Sequence, residues 1–300
     1  MSLGTEGLSL FEAAREARIP FTKEVVPEDK ELTINNLRFH YLDWGNHSKR
    51  TVLLLHGGAQ QAHSWDFIAL SLCDSYHVLS LDARGHGDSQ WAPDGDYSIE
   101  AHQRDLDGFI GTLQLDGSIL VGHSMGGTTS YVFASRNPDK VKALVIVDEG
   151  PGGTPQGRSR IRQFLELPDE LDTYEEFAER IAEFTGRSRE RVMGTLKYTI
   201  RQREDGKWTW KYDKVLRAPG RRSFNWPEEK LWECLSNIKC PCLVVRGADS
   251  DVFSNETMEK MLRVIPDSVS ETISGAGHRV TGENPTEFIN AVKVMLTRII

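Results

Sequence analysis

The stretch "SILVGHSMGGTTSYVFASR", residues 118–136, passes from an apolar run through a glycine-flanked serine into a helical pattern. Gly122 and Gly126 flank Ser124 with the G-x-S-x-G spacing of a nucleophile elbow, a tight strand-to-helix turn that exposes a hydroxyl at the top of a sheet. The backbone of such a turn is strained, and bulky side chains two residues to either side would collide with it. With 26 glycines in 300 residues the spacing alone is a modest signal. Its setting, strand-like "SILV" before and helix-like "GTTSYVFASR" after, makes Ser124 the candidate nucleophile rather than a small residue filling a turn.

A serine hydroxyl needs a base, and the base needs an orienting acid. In an elbow-type arrangement the chain order is serine, acid, histidine. Of nine histidines only His278 follows Ser124, in the glycine-flanked turn "SGAGHRV". The acid should lie beyond a strand end, which leaves Asp249 and Asp251 after "CLVVRG" and Asp148 after "ALVIV". The oxyanion donors should be the N–H of Met125 and an amide of the turn "LLLHGGAQ", where Gly57 and Gly58 let the backbone approach a carbonyl closely. No G-x-x-x-x-G-K-S/T or G-x-G-x-x-G pattern surrounds that turn, so a phosphate cradle is not indicated. His56 and His123 read as packing or loop-bracing residues.

Short apolar runs, "TVLLLHGG", "HVLSLDARGHG", "SILVGHSMGG", "ALVIVDEGPGG", "CLVVRGADSD" and "SETISGAGH", alternate with helical segments from residue 51 onward. Strands buried on both faces read this way, which predicts a mostly parallel sheet covered on both sides. Before it, "ELTINN" and "LRFHYLDW" predict an antiparallel hairpin turning at Asn35 and Asn36. The rhythm breaks between Pro151 and Lys239, and a connection of roughly 90 residues is too long for a loop, so a small helical subdomain is expected there. Its "RIRQF" and "RSRER" clusters read as solvated helix faces.

Composition narrows the partners. Lys and Arg number 36 against 44 Asp and Glu, a net charge of −8, which disfavours nucleic acid and anionic lipid and favours a small-molecule substrate. Cys73, Cys234, Cys240 and Cys242 are too few for a disulfide framework, and Cys240-Pro241-Cys242 lacks the second cluster a zinc site needs. No metal is expected. Neither a membrane span nor a secretory signal is visible, so the expectation is a soluble cytoplasmic protein, with a homodimer left open.

The collinear pieces "HGG" (56–58), "LDARGHGDS" (81–89), "GHSMGG" (122–127), "VDEGP" (147–151), "RGADSDVFS" (246–254) and "GAGHRVTGENPTEF" (275–288) make the chain resemble the α/β-hydrolase superfamily. Within it the chain resembles the single-chain esterase, lactonase and C–C hydrolase branch with a helical cap. The resemblance implies a hydrolase core over 1–150 and 240–300, with a helical cap over 151–239 inserted after the sixth strand. It implies a triad of Ser124, an acid of the 249–251 turn and His278, with Gly58 and Met125 as oxyanion donors. Spacing to the next helix, with Asn255 where such proteins often have proline, favours Asp251, with Asp249 and Asp148 as the alternatives. Asp82, Arg84, His86 and Asp88 fall in a turn that in such proteins braces neighbouring loops.

The expected reaction is cleavage of a small carboxylic ester or lactone through an acyl-enzyme, without a cofactor. C–C bond hydrolysis, perhydrolysis and a low-turnover ligand receptor are the alternatives. Haloalkane and epoxide hydrolysis are disfavoured, since those branches carry Asp where Ser124 stands. Trp208, Trp210 and Trp226 are expected to line the substrate pocket from the cap, in company with Tyr212 and Phe224, because the core motifs place only the reacting carbonyl.

Overall fold

The computed structural model describes residues 8–218 and 226–299, so Phe224 lies outside the described residues. Helix α1 (Leu10–Glu16) opens on Ser9, whose hydroxyl and Glu12 form a capping box. Strands β1 (Glu28–Ile34) and β2 (Leu37–Asp43) form the expected hairpin, with Ile34 opposite Leu37. Asn35 (φ 51°) and Asn36 (φ 62°) occupy the left-handed region that a two-residue hairpin turn demands and asparagine tolerates.

Alternating strands and helices follow: β3 (Thr51–Leu55), α2 (Asp66–Leu72), β4 (His77–Leu81), α3 (Ile99–Thr112), β5 (Ser118–His123), α4 (Met125–Arg136) and β6 (Val141–Val147). The inserted segment contains α5 (Pro155–Leu165), β7 (Glu170–Leu171), α6 (Tyr174–Thr185), α7 (Arg189–Leu196), β8 (Ile200–Gln202), β9 (Trp208–Trp210) and α8 (Glu228–Ser236). The chain closes with β10 (Cys242–Gly247), α9 (Asn255–Val264), β11 (Ser268–Ile273), α10 (Val280–Glu283) and α11 (Pro285–Thr297).

The main sheet has the order β1-β2-β4-β3-β5-β6-β10-β11, antiparallel through the first two pairings and parallel from β4 onward. All five residues of β3 are buried, and their alternation splits them between two cores. Val52 and Leu54 pack with Trp65, Phe288 and Val292 on one face. Leu53 and Leu55 pack with Phe109, Tyr131 and Phe133 on the other. Burying both faces is what made these strands continuous apolar runs.

The insertion departs from expectation, for it is not wholly helical. Strands β7, β9 and β8 form a small antiparallel sheet, closed by the turn at Gly206 (φ 84°). Phe177, Val192, Leu196, Trp210 and Tyr212 give this part a core of its own. Helix α8 instead packs on α4 and α9, with Cys234 and Leu235 in the main core. The insertion is tied to the turn after β4: Lys211 Nζ reaches both Asp88 oxygens at 2.8 Å, and the Asp213 N–H donates to the Gly85 carbonyl at 2.8 Å. Among the described residues no helix is long and apolar enough to cross a membrane.

Helix α4 begins against the end of β3, where a Cβ on Gly126 would come within 2.1 Å of the Leu55 carbonyl oxygen and one on Gly122 within 2.2 Å of the Gly126 carbonyl oxygen. Backbone cannot yield as a flexible side chain does, so Gly126→Ala should lower unfolding stability by about 1–3 kcal/mol, measurable by urea denaturation. An unchanged midpoint would show that α4 moves away without cost.

Candidate active site

The carboxyl ends of the parallel strands gather at one edge of the sheet, where open α/β folds bind ligands. Residues 56–61 leave β3 there, Ser124 leaves β5, Asp148 leaves β6, and His278 follows β11. Ser124 sits between strand and helix with φ 50° and ψ −116°, a conformation rare for any residue with a side chain. Its N–H donates to the Val147 carbonyl at 3.1 Å, and the Gly126 N–H donates to the His56 carbonyl at 3.1 Å, which lock the turn on both sides.

His278 is paired with Asp148, not with Asp251. Its Nδ1–H donates to Asp148 Oδ2 at 2.8 Å, and that carboxylate is wholly buried. The Gly247 N–H (2.9 Å) and the Ser250 hydroxyl (2.6 Å) also donate to Asp148, so β10 and its turn fix the carboxylate from the side. Asp148 itself has φ 48°. Asp251 is engaged instead in an ion pair with Arg160 at 2.9 Å, and Asp249 is exposed. The residue of the 249–251 turn that faces inward is Ser250. Sequence spacing favoured Asp251 because it could not show that β6 runs beside β10 and delivers its own terminal acid first.

With Nδ1 committed to Asp148, a neutral His278 carries its lone pair on Nε2, the tautomer a general base requires. The ring lies 4.8 Å from that of His123, whose Nε2–H donates to the His278 carbonyl at 2.7 Å. Burial holds His123 well below the usual histidine range, and it keeps this neutral positioning role. His56 joins two loops: Nδ1–H donates to the Gly57 carbonyl at 2.8 Å, and Nε2 accepts from the Ala83 N–H at 3.0 Å. Asp82 accepts from Ala62 N–H (2.6 Å), Asp88 N–H (2.9 Å) and His40 Nδ1 (2.7 Å), tying the 56–65 and 82–89 loops together.

Ser124, Met125, Gly58 and His278 line one cavity of about 700 Å³ between the sheet and the insertion. The Met125 N–H is the first of α4 and has no intrahelical acceptor, and among the described residues neither it nor the Gly58 N–H donates to a protein acceptor. Of the three tryptophans expected here, Trp210 lines the cavity. Trp208 lies against Tyr174 in the core of the insertion instead. Trp226 lies against the main body, donating to Glu100 at 2.6 Å beneath Arg136 and Lys230. Tyr212, expected beside the tryptophans, lines the cavity as well, and the rest of the aromatic surface comes from Phe164, Phe184 and Tyr198, which no tryptophan count could reveal.

A further group escaped the sequence reading. Glu149 follows Asp148 and accepts from the Thr128 hydroxyl at 3.1 Å. Burial pushes its carboxyl up to about 7, against the opposing pull of His278 and of the Thr128 hydroxyl.

Comparison with known proteins bears on this geometry. A family model described as alpha/beta hydrolase fold matches residues 50–285. An esterase of Mycobacterium tuberculosis is 29% identical over 85% of both chains, and its crystal structure superposes with a TM-score of 0.79 over 99% of each at 26% identity. A 3-hydroxybutyrate-oligomer hydrolase of Cupriavidus necator is 30% identical over 83% of this chain and 90% of that one. The structure of an alpha/beta hydrolase from Novosphingobium aromaticivorans gives a TM-score of 0.80 at 27% identity, covering 92% of this chain and all of the other.

Two measurements test the acid and its neighbour. Asp148→Asn should lower kcat about 10⁴-fold by removing the acceptor that holds the His278 tautomer, while Asp251→Asn stays within about tenfold of the parent. The reverse order would return the assignment to Asp251. Because burial raises the Glu149 carboxyl above its ordinary 4.5, its contribution to stability is present below that value and is lost as pH rises through about 7. Glu149→Gln should therefore gain Tm over the parent between about pH 5 and about pH 8, and a pH-independent difference would show that Glu149 ionises as it does in water.

Proposed function

The chain belongs to the α/β-hydrolase family, and from that premise we propose that it is a serine hydrolase cleaving a small carboxylic ester or lactone through an acyl-enzyme. The observation that carries this reading is that a strained Ser124 and a His278 whose Nδ1–H is bound by buried Asp148 line one cavity. The names esterase and 3-hydroxybutyrate-oligomer hydrolase borne by similar proteins agree with it.

In the proposed mechanism His278 Nε2 takes the Ser124 hydroxyl proton as Oγ bonds to the carbonyl carbon. The electron pair displaced onto the carbonyl oxygen is met by the free amides of Met125 and Gly58, a term worth about 3–4 kcal/mol per donor in comparable sites. Collapse of that intermediate breaks the ester C–O bond, and the imidazolium returns its proton to the departing alkoxide. Water, deprotonated by the same Nε2, then attacks the acyl-enzyme and releases the acid with Ser124 restored. Asp148 remains an acceptor throughout and stabilises the imidazolium. Gly58 suits its task, since nothing lies within 4 Å of where its Cβ would be and a substrate oxygen meets no side chain there.

Ser124→Ala and His278→Ala should each lower kcat on a chromogenic short-chain ester by about 10⁴–10⁶, since either disables the same unit. A fluorophosphonate should label Ser124 and no other residue. Labelling elsewhere, or parental turnover in Ser124→Ala, would end the serine-hydrolase reading.

A further inference from the structure

The cavity contradicts the charge of the chain that encloses it. The whole protein has a net charge of −8, yet Arg160, Arg187, Arg191, Lys197 and Arg279 all line this space. The acids on the same wall are Asp66, bound to His63 Nδ1 at 3.0 Å, and Glu283, which accepts from the Gly277 N–H at 2.6 Å. Arg160 has its counter-ion in Asp251. Arg187, Arg191 and Arg279 have none: among the described residues, none of the three makes an ion pair, and the Arg187 guanidinium reaches only the Arg191 carbonyl, at 3.2 Å.

These three come from two directions. Gly186, left-handed at φ 67°, ends α6 and turns the chain so that Arg187 and Arg191 flank the start of α7. Arg279 is the residue after His278 and joins them from the sheet side. Burial and the fields of Arg279 and Arg191 push Arg187 down to about 10. Burial also lowers Arg279, with only Glu283 pulling the other way. Among the described residues Arg187 and Arg279 are partly buried without a counter-ion, while Arg191 is exposed at the cavity edge. Partly desolvated guanidiniums weaken a fold unless an anion completes them, and the guanidinium fork matches a carboxylate in two parallel hydrogen bonds. The "RSRER" cluster is therefore only in part the solvated face that its composition suggested: Arg189, Glu190 and Arg191 are exposed, but Arg191 lines the cavity mouth, and Arg187 is half-buried and faces the cavity.

We propose that Arg187, Arg191 and Arg279 form an anion subsite beside the catalytic centre, and that the substrate is an ester or lactone carrying a free, ionised carboxylate away from the scissile bond. This rests on the hydrolase reading of Ser124. The apolar wall of Ile161, Phe164, Phe184 and Trp210 takes the body of the substrate, the carboxylate binds under the α6–α7 corner, and the reacting carbonyl reaches Ser124.

The test compares the p-nitrophenyl monoester of adipic acid with p-nitrophenyl hexanoate, which differ by a carboxylate in place of a terminal methyl. The parent should favour the anionic ester by at least about tenfold in kcat/KM at low ionic strength, with the preference declining as salt is added. That ratio should fall at least about tenfold in Arg187→Met and Arg279→Met, mainly through KM, and be partly kept in Arg187→Lys. A parental ratio near one, or a ratio unchanged in both methionine variants, would overturn the subsite. A second arm needs no turnover: monomethyl adipate titrated into Ser124→Ala should bind saturably and bind at least about tenfold more weakly once Arg187→Met is added. Absence of binding, or inorganic phosphate binding more tightly than monomethyl adipate, would overturn the carboxylate assignment. If neither ester is cleaved and Ser124 resists the fluorophosphonate, the hydrolase reading fails, while the titration still decides whether the guanidiniums hold a carboxylate.

Discussion

Helix α4 meets β3 at a distance that leaves no room for a Cβ on Gly126, and much else depends on that contact. Because α4 starts there, the Gly126 amide bonds the His56 carbonyl, and the loop bearing Gly57 and Gly58 is held beside the serine. The same turn forces Ser124 to φ 50° and leaves the Met125 amide at the open end of the helix. The candidate nucleophile, one candidate oxyanion donor and the anchoring of the other thus follow from a single close approach of two backbones. The energetic cost of that strained turn is borne by sheet pairing, for Ser124 itself hangs from the Val147 carbonyl of β6.

Most of the fold was legible because burial on both faces leaves a strong imprint: "TVLLL" and "LVIV" cannot face water on either side. The hairpin was legible for a local reason, since two consecutive asparagines tolerate the backbone that turn requires. The insertion was less so. Strand β9 is three residues long, below the length at which alternation can be told from chance, and its tryptophans signal only that something apolar is nearby. Trp208 and Trp226 have different burial partners, a distinction created by tertiary contacts.

Order and spacing anticipated that Ser124 and His278 would meet at one cavity, but not which acid would bind the histidine. Asp148, Asp249 and Asp251 all follow strand-like runs, and the choice among them turns on which strand neighbours β5 and on which way one short turn faces. A signal did exist: "ALVIVD" runs into its acid without an intervening glycine, so the carboxylate stays at the level of the strand end. The guanidiniums left no such trace, since "RSRER" on a helix usually means solvent.

Assigning the acid to β6 leaves the β10 turn with two attachments. Ser250 holds Asp148 from one side. On the other, the Thr154 N–H donates to the Val252 carbonyl at 2.9 Å, the Thr154 hydroxyl donates to the Asp251 carbonyl, and Gly157 packs so closely that a Cβ would fall 2.6 Å from the Val252 Cα. Helix α5, which roofs the cavity, is therefore mechanically in series with the carboxylate that holds His278. Lifting it for substrate entry must either break the Thr154 bonds or drag the 250–252 turn along. In the first case the roof opens over a His278–Asp148 pair that stays assembled, and in the second every opening event briefly loosens that pair.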